Sequence, residues 1–282
     1  MDNDYFVDLH THSTISDGTM EVEQICEEAV AHKVGILSVT DHNKLEGTKK
    51  ALQLQEQFRL RIISGVEVDS TYQERRCHIL GYGFDVNDVT FNQFLKKNAE
   101  ILLEVDYHTL QSIAKDYPLD LEKYEGYSYD RKMGGWKLIH FLVAQGVVNE
   151  LEDAIQLMKR YKNRSRFPSP AQVIEAIHNA GGIAILAHPG ETFQIEDGSK
   201  VDVEELLHKL VEAGIDGVEC YYPRHKTMFE DKLVAFCKER DFYITSGSDY
   251  HGNFFHGSKQ KIGCEFKRPG ELNLKKLVEL TR

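Results

Sequence analysis

Two histidines one residue apart, His10 and His12, follow a short apolar run, and Asp17 lies five residues beyond them. Alternate side chains of a strand point to one face, so His10 and His12 can reach a single cation together. Similar residues recur behind other apolar runs: His42 in Thr40-Asp41-His42, Glu67 in Gly65-Val66-Glu67, His78 in Cys77-His78-Ile79, His188 in Ala187-His188-Pro189, and Asp249 with His251 in Ser248-Asp249-Tyr250-His251. Six of the 13 histidines occupy such positions. Imidazole with carboxylate suits zinc, iron or manganese, and suits calcium or magnesium alone poorly. A lone histidine at a strand end is usually a hydrogen-bonded structural residue. The whole set is harder to explain without an ion, because converging ionisable groups would have to be buried or neutralised at large cost.

The elements that must position these residues can be read from the hydrophobic pattern. Runs at residues 5–9, 36–40, 61–68, 77–82, 183–187, 217–221 and 242–246 read as seven buried strands, with helical patterns between them. Over residues 20–32, Val22, Ile25, Cys26, Ala29 and Val30 share one helical face. Ser169 can cap a helix over 171–180, with Pro170 at its first position and Gly181 or Gly182 at its end. Alternating strands and helices predict a largely parallel α/β sheet, open or closed into a barrel, with the chemistry at the C-terminal ends of its strands. The alternation lapses over residues 91–167, too long a stretch for a loop. Helices are expected there at 91–115, 136–145 and 151–161. The expected organisation is therefore an α/β unit from residues 1–90 and 168–282, with a helical insertion domain at 91–167 beside the mouth.

Composition narrows the functional classes. A chain of 282 residues can bury one large core. Its net charge of -11 argues against long nucleic acid as a partner. The five cysteines are scattered without a C-x-x-C pair, which argues against a disulfide framework or a cysteine zinc site and for a reducing, cytoplasmic setting. The acidic Met1-Asp2-Asn3-Asp4 does not read as a signal peptide, and no apolar run approaches a membrane span.

The segments D-L-H-T-H-S-T-I-S-D-G, S-V-T-D-H-N, I-S-G-V-E-V, C-H-I-L-G-Y, I-L-A-H-P-G and G-S-D-Y-H-G, spread over residues 8–252, resemble the polymerase and histidinol phosphatase (PHP) family. The resemblance implies a distorted seven-stranded (β/α) barrel holding three divalent ions, zinc, manganese or iron. It allots His10, His12, Glu67 and Asp249 to the first ion, with Glu67 bridging to a second held by His78 and His188. Asp17, His42 and His251 would hold the third. Asp8 and Asp41, beside these ligands, could orient them. The implied activity is phosphate-ester hydrolysis by a hydroxide between the first two ions, with Asp249 at the reacting centre. Three divalent ions, about +6, against Asp17, Glu67 and Asp249 leave roughly +3, so an acidic protein can still attract phosphate locally.

The order of strands, helical segment, F-P-S-P-A-Q-V-I-E-A-I and A-H-P-G is similar to a branch that hydrolyses nucleotide phosphates, including nucleoside 3',5'-bisphosphates and short oligonucleotides. A small phosphorylated nucleotide is thus the expected substrate. The alternatives are a 5'-3' exonuclease on short oligonucleotides, a histidinol-phosphate phosphatase, and a metal-stabilised scaffold without turnover. In Cys220-Tyr221-Tyr222-Pro223-Arg224-His225, His225 could protonate a leaving group and Arg224 could bind phosphate. Glu219 could support a ligand or simply end a strand. Tyr127, Tyr129, Arg131, Lys132, Trp136 and Lys137 interleave aromatic and basic groups, making Arg131 and Lys137 candidates for holding a nucleotide; the plainer reading is a small helical core with a charged rim. His32, His108, His140, His178, His208 and His256 receive no role.

Overall fold

The N-terminal third alternates as expected in the computed structural model, which describes residues 5–161, 166–193, 203–254, 260–274 and 277. Strand β1 (Phe6–Asp8) leads to helix α1 (Val22–Ala31), strand β2 (Val34–Leu37), helix α2 (Glu46–Phe58) and the short strand β3 (Arg61–Ile62). The three strands pair in parallel in the order β1-β2-β3. Helix α1 buries Val22, Ile25, Cys26 and Ala29 against them, whereas Val30, expected on the same face, is 48% exposed.

The run at 61–68 is not one strand. The chain leaves β3 at Ile63 and Ser64 and begins strand β4 (Gly65–Tyr72), which turns back into strand β5 (Arg75–Tyr82). Gln73 and Glu74 make the turn with φ of 46° and 66°, left-handed values that suit a two-residue hairpin. Helices α3 (Val89–Ile113), α4 (Leu121–Gly126), α5 (Lys137–Ala144) and α6 (Leu151–Arg160) follow, then α7 (Pro170–Asn179), strand β6 (Ile183–Leu186), α8 (Pro189–Thr192), α9 (Val203–Glu212), strand β7 (Gly217–Tyr221), α10 (Thr227–Glu239) and strand β8 (Tyr243–Ser246). The second sheet has the order β4-β5-β6-β7-β8. In it β5 is antiparallel to both neighbours, and β6, β7 and β8 are parallel.

The described residues thus contain eight strands in two sheets, rather than seven in one largely parallel sheet, and no closed sheet is found among them. The hairpin is the cause, since a two-residue turn forces the strand after it to run backwards. Two isolated parallel pairings, Thr11 with Tyr250 and His42 with Glu67, join the sheets just beyond the ends of β1, β2 and β8. Both pairings fall among the candidate ligands.

Helix α7 begins as its sequence dictates, with Ser169 and Gln172 in a reciprocal capping box and Pro170 in the first turn. The helical segment has its own apolar cluster, with Leu110, Ile113, Leu138, Phe141 and Leu142 at its centre, and Phe254 from the loop after His251 packs into it. Helix α4 was not expected from the pattern; Asp120 caps it and its buried Tyr124 packs edge-on against Phe141. Among the described residues no helix is long and apolar enough to cross a membrane. His256 lies outside the described residues.

Candidate metal centre

The nine residues singled out by type and spacing come together at one end of the two sheets. His10 and His12 lie just past β1, His42 past β2, His188 past β6, and Asp249 and His251 past β8. Two do not sit at strand ends. Glu67 is inside β4, and His78 lies in the first half of β5, opposite Asp69. Because β5 runs antiparallel, its early residues face the end that the other strands reach last.

Four donor atoms converge most tightly. His10 Nε2 and His12 Nε2 are 3.1 Å apart, each is 3.2 Å from Glu67 Oε2, and they lie 3.5 and 3.2 Å from Asp249 Oδ1. A tetrahedral ion with ligands about 2.1 Å away spaces its donors by roughly 3.4 Å, so these atoms fit a cation of that kind. The other oxygen of Glu67 faces a second group: Oε1 is 2.9 Å from His78 Nδ1 and 3.0 Å from His188 Nε2. One buried carboxylate is therefore shared between two sets. A third set gathers on Asp17, whose Oδ2 is 3.4 Å from His251 Nε2 and 3.8 Å from His42 Nε2, and whose Oδ1 is 3.6 Å from His12 Nδ1. His12 thus belongs to two sets, one through each ring nitrogen.

The chemistry of these atoms calls for a cation. Asp17 Oδ1 and His42 Nδ1 are buried without a hydrogen-bond partner, an arrangement that costs free energy unless an ion satisfies it. Burial alone would raise the Glu67 carboxyl, yet His78, His42 and His10 hold it well below the usual range. Asp17 is likewise held low by His251 and His42 against its burial. Burial lowers His12, but hydrogen bonds to Asp249 and Glu67 outweigh that and push it up to about 10. His78 rises to about 9 because Glu67 and Asp69 outweigh its burial. At His42 burial prevails and the value falls to about 4.

The surrounding residues hold the donors in place. Glu219 accepts from His10 Nδ1 at 3.0 Å and from the His188 backbone N–H at 2.9 Å, and so braces both residues. Asp8 accepts from the backbone N–H groups of His10, Ser248 and Gly263. Asp41 accepts from Ser13 and Ser16 and shapes the loop that carries Asp17. Both act on backbone and loop, not on a ligand ring. Asn43, His188 and Asp249 all have left-handed backbone, at φ of 52°, 23° and 51°. Strained backbone of this kind persists where the surroundings impose it, commonly at functional sites. A side chain at Gly247 would collide with His10 and Glu219.

Sequence reasoning missed Asp69, Tyr222 and Glu191. Asp69 is fully buried, forms a group with His42 and His78, lies 3.1 Å from His78 Nε2 and pairs with Arg76. Its signal was present, since Asp69 stands two residues after Glu67 on the same strand face. The Tyr222 hydroxyl lies 3.1 Å from Asp249 Oδ2 and also bonds Glu191. No periodicity marks a tyrosine in a loop.

The candidates for substrate contact divide. Arg224 is at the rim, 2.7 Å from Glu191 and 3.6 Å from Asp249 Oδ2. His225 sits close by, but its Nδ1 is engaged with the Cys220 carbonyl at 3.1 Å and its Nε2 accepts from the Gly190 N–H at 3.1 Å. An imidazole held on both nitrogens by main chain has no atom free for proton transfer, so this geometry does not favour the general-acid role expected of it. Arg131 Nε donates to Thr14 O at 3.1 Å, and Lys44 Nζ donates to Ile15 O at 2.7 Å, so two cations grip the loop leading to Asp17. Lys137 donates to Glu125 O and lies 4.5 Å from the Tyr124 ring. Both partners belong to the helical segment, and these contacts do not bring Lys137 to the cluster.

Known proteins resemble this chain over most of its length. The family described as PHP domain matches residues 8–218. A phosphoribosyl 1,2-cyclic phosphate 1,2-diphosphodiesterase from Eggerthella lenta is 27% identical over 262 residues, covering 88% of this chain and 94% of its own. The 5'-3' exoribonuclease Rnm of Escherichia coli is 26% identical over 262 residues, covering 89% of this chain and 87% of its own. A solved structure from Bifidobacterium adolescentis, provisionally described as a metal-dependent phosphoesterase, has a TM-score of 0.80 at 20% identity over 99% of this chain and 97% of that one.

Proposed function

The chain belongs to the PHP domain family, and on that premise we propose that it is a metal-dependent phosphoesterase acting on nucleotide-type phosphate esters. The observation that carries this reading is the division of Glu67, one oxygen toward His10 and His12 and the other toward His78 and His188. In this reading three divalent ions, zinc, manganese or iron, are held by His10, His12, Glu67 and Asp249, by Glu67, His78 and His188, and by Asp17, His42 and His251. Such ions supply Lewis acidity toward water and toward phosphate oxygen.

The protein's own contribution is placement. Glu219 fixes the His10 ring so that its Nε2 lone pair faces the first group. Tyr222 and Arg224 bear on Asp249 Oδ2, which leaves Oδ1 directed at His10 and His12. In this reading Arg224 at the rim and Arg131, which grips the loop leading to Asp17, would meet phosphate, and the helical insertion domain, residues 91–167, would flank the substrate. The two sheets, joined at Thr11–Tyr250 and His42–Glu67, would form the distorted barrel of the family. The free thiols of all five cysteines are compatible with a reducing cytoplasm.

A second reading, 5'-3' exonuclease action on short oligonucleotides, is favoured by similarity to the Escherichia coli exoribonuclease across 89% of this chain. A panel of p-nitrophenyl phosphate, nucleoside mono- and bisphosphates, histidinol phosphate and a short RNA, run with Asp249→Ala alongside, separates these readings. Turnover of nucleotides that depends on Asp249 is expected. Metal-loaded protein inert toward every compound would refute the enzyme reading, and a clear preference for histidinol phosphate would refute the nucleotide assignment.

A further inference from the structure

Immediately beyond His188, the short helix α8 carries Glu191, and its carboxylate occupies a place where an anion is otherwise expected. Glu191 Oε2 lies 2.7 Å from Arg224 Nη2 and accepts from the Tyr222 hydroxyl. The same two groups reach the candidate ligand Asp249: Tyr222 OH is 3.1 Å and Arg224 Nη2 is 3.6 Å from Asp249 Oδ2. Arg224 Nε also donates to the Tyr222 hydroxyl at 3.0 Å, which locks the pair into one fork. Tyr222 is buried, while the Arg224 and Glu191 side chains remain 52% and 39% exposed. A buried hydroxyl and a solvent-facing guanidinium beside Asp249 thus form an anion cradle, and the chain's own carboxylate fills it.

We propose that Glu191 is a resident anion that the phosphate of the substrate must displace from Arg224 and Tyr222, which makes Glu191 a residue that sets substrate affinity. The physical reason is competition. Arg224 presents a planar fork suited to phosphate as well as to carboxylate, and only one anion can take the face that Glu191 now covers. With Glu191 in place, a phosphate gains the fork only after breaking an ion pair, and it then sits beside a like charge. The carboxylate is half-exposed at the end of a four-residue helix, so it can swing toward water when displaced. Glu191 therefore weakens ground-state binding of anions and keeps Arg224 from holding the phosphate product tightly.

The inference rests on the phosphoesterase reading but can be tested apart from it. Inorganic phosphate binding to the metal-loaded protein is measured by titration calorimetry, and KM and kcat are measured with a nucleotide substrate. The proteins are the natural chain, Glu191→Gln, Glu191→Asp, Arg224→Gln and the double variant Glu191→Gln with Arg224→Gln. Glu191→Gln is expected to tighten phosphate binding and lower KM roughly tenfold, the scale of one hydrogen bond to a charged group. Glu191→Asp, which keeps the charge, should stay near the natural values. Arg224→Gln should weaken phosphate binding, and in the double variant the gain from Glu191→Gln should vanish because the contested cation is gone. Unchanged or weaker phosphate binding in Glu191→Gln, or an equal gain with Arg224 absent, overturns the proposal. If the natural chain turns over no ester yet Glu191→Gln still tightens phosphate in an Arg224-dependent way, the activity assignment fails and the cradle stands.

Discussion

His10 engages Glu219 through Nδ1 across 3.0 Å, and neither side chain is exposed to solvent. With Nδ1 donating to the Glu219 carboxylate, Nε2 is the ring nitrogen that faces His12, Glu67 and Asp249. Glu219 has a second duty, since its other oxygen accepts from the His188 N–H at 2.9 Å. One carboxylate therefore positions residues from two of the candidate ligand groups.

Glu219→Gln tests this. An amide has only one acceptor oxygen, so either His10 Nδ1–H or the His188 N–H must face an NH2 group. Loss of an outer partner of this kind typically weakens metal affinity by about 10- to 100-fold, and the unmatched buried donor costs about 1–3 kcal/mol of stability. Chelator competition and thermal unfolding provide the readouts. Natural metal affinity in the variant would mean that the ring orientation is fixed by something else.

The metal-free protein should bind protons where the ions would sit. His12 titrates near 10 and His78 near 9 in the folded chain, against 6.5 for the free side chain. Their values are raised by folding, so the stability they contribute is complete below about pH 6.5 and is lost as pH rises toward 9 to 10. Metal-free protein should lose melting temperature across that window, while metal-loaded protein, with its imidazoles held by ions, should not. Metal binding at pH 7.5 should also release protons, because the imidazoles of His10, His12, His78 and His251 are all raised, against their burial, by the carboxylates around them, and calorimetry in buffers of different ionisation enthalpy would show that release. Parallel pH profiles with and without metal would contradict this account.

Much of the candidate site was legible in the sequence. His10, His12, His42, His188, Asp249 and His251 follow apolar runs, and a residue at the end of a buried strand must face that end of the sheet. What the pattern could not carry was direction. The runs at 61–68 and 77–82 look like parallel strands, but the hairpin at Gln73 and Glu74 reverses the second, so His78 reaches the site from the early part of its strand. The break at Ile63 and Ser64 did leave a mark, since Ser64-Gly65 interrupts the apolar run with a dipeptide that favours turns, but the β-branched residues on both sides of it mask the break. Asp69, Tyr222 and Glu191 act by touching ligands or one another, a relation that exists only after folding. Most helices of residues 91–167 were legible from their period, whereas the contacts of Arg131 with Thr14 and of Lys137 with Glu125 and Tyr124 depend on how those helices pack.

Asp69 is a separate test of how the cluster is held. It lies 3.1 Å from His78 Nε2 and also accepts from Asn43 and Arg76 in a fully buried position. Asp69→Asn removes the charge that balances Arg76, whose side chain is 35% exposed. Partial solvation of Arg76 moderates the penalty, so the expected loss is about 2 kcal/mol, below the range for a fully buried pair. Metal content should fall at the site of His78 while kcat falls more than KM rises. A variant with full metal content and natural kcat would reduce Asp69 to a structural role.

Asp106, on helix α3 in the helical segment, offers a pH test at a residue outside the candidate ligand groups. Burial raises its carboxyl to about 7, with Asp69 adding to the shift and Arg76 opposing it. The folded chain therefore holds a proton on Asp106 between about pH 4 and 7 that the unfolded chain has released, and stability falls as pH rises through that interval. Asp106→Asn keeps the size of the group and removes the ionisation. Urea unfolding at pH 5 and pH 8 should show a smaller loss of stability in the variant than in the natural chain, with a relative gain at pH 8 of about 2 kcal/mol. Equal losses in the two proteins would mean that Asp106 is charged in the folded state, paired with Arg76 strongly enough to offset its burial.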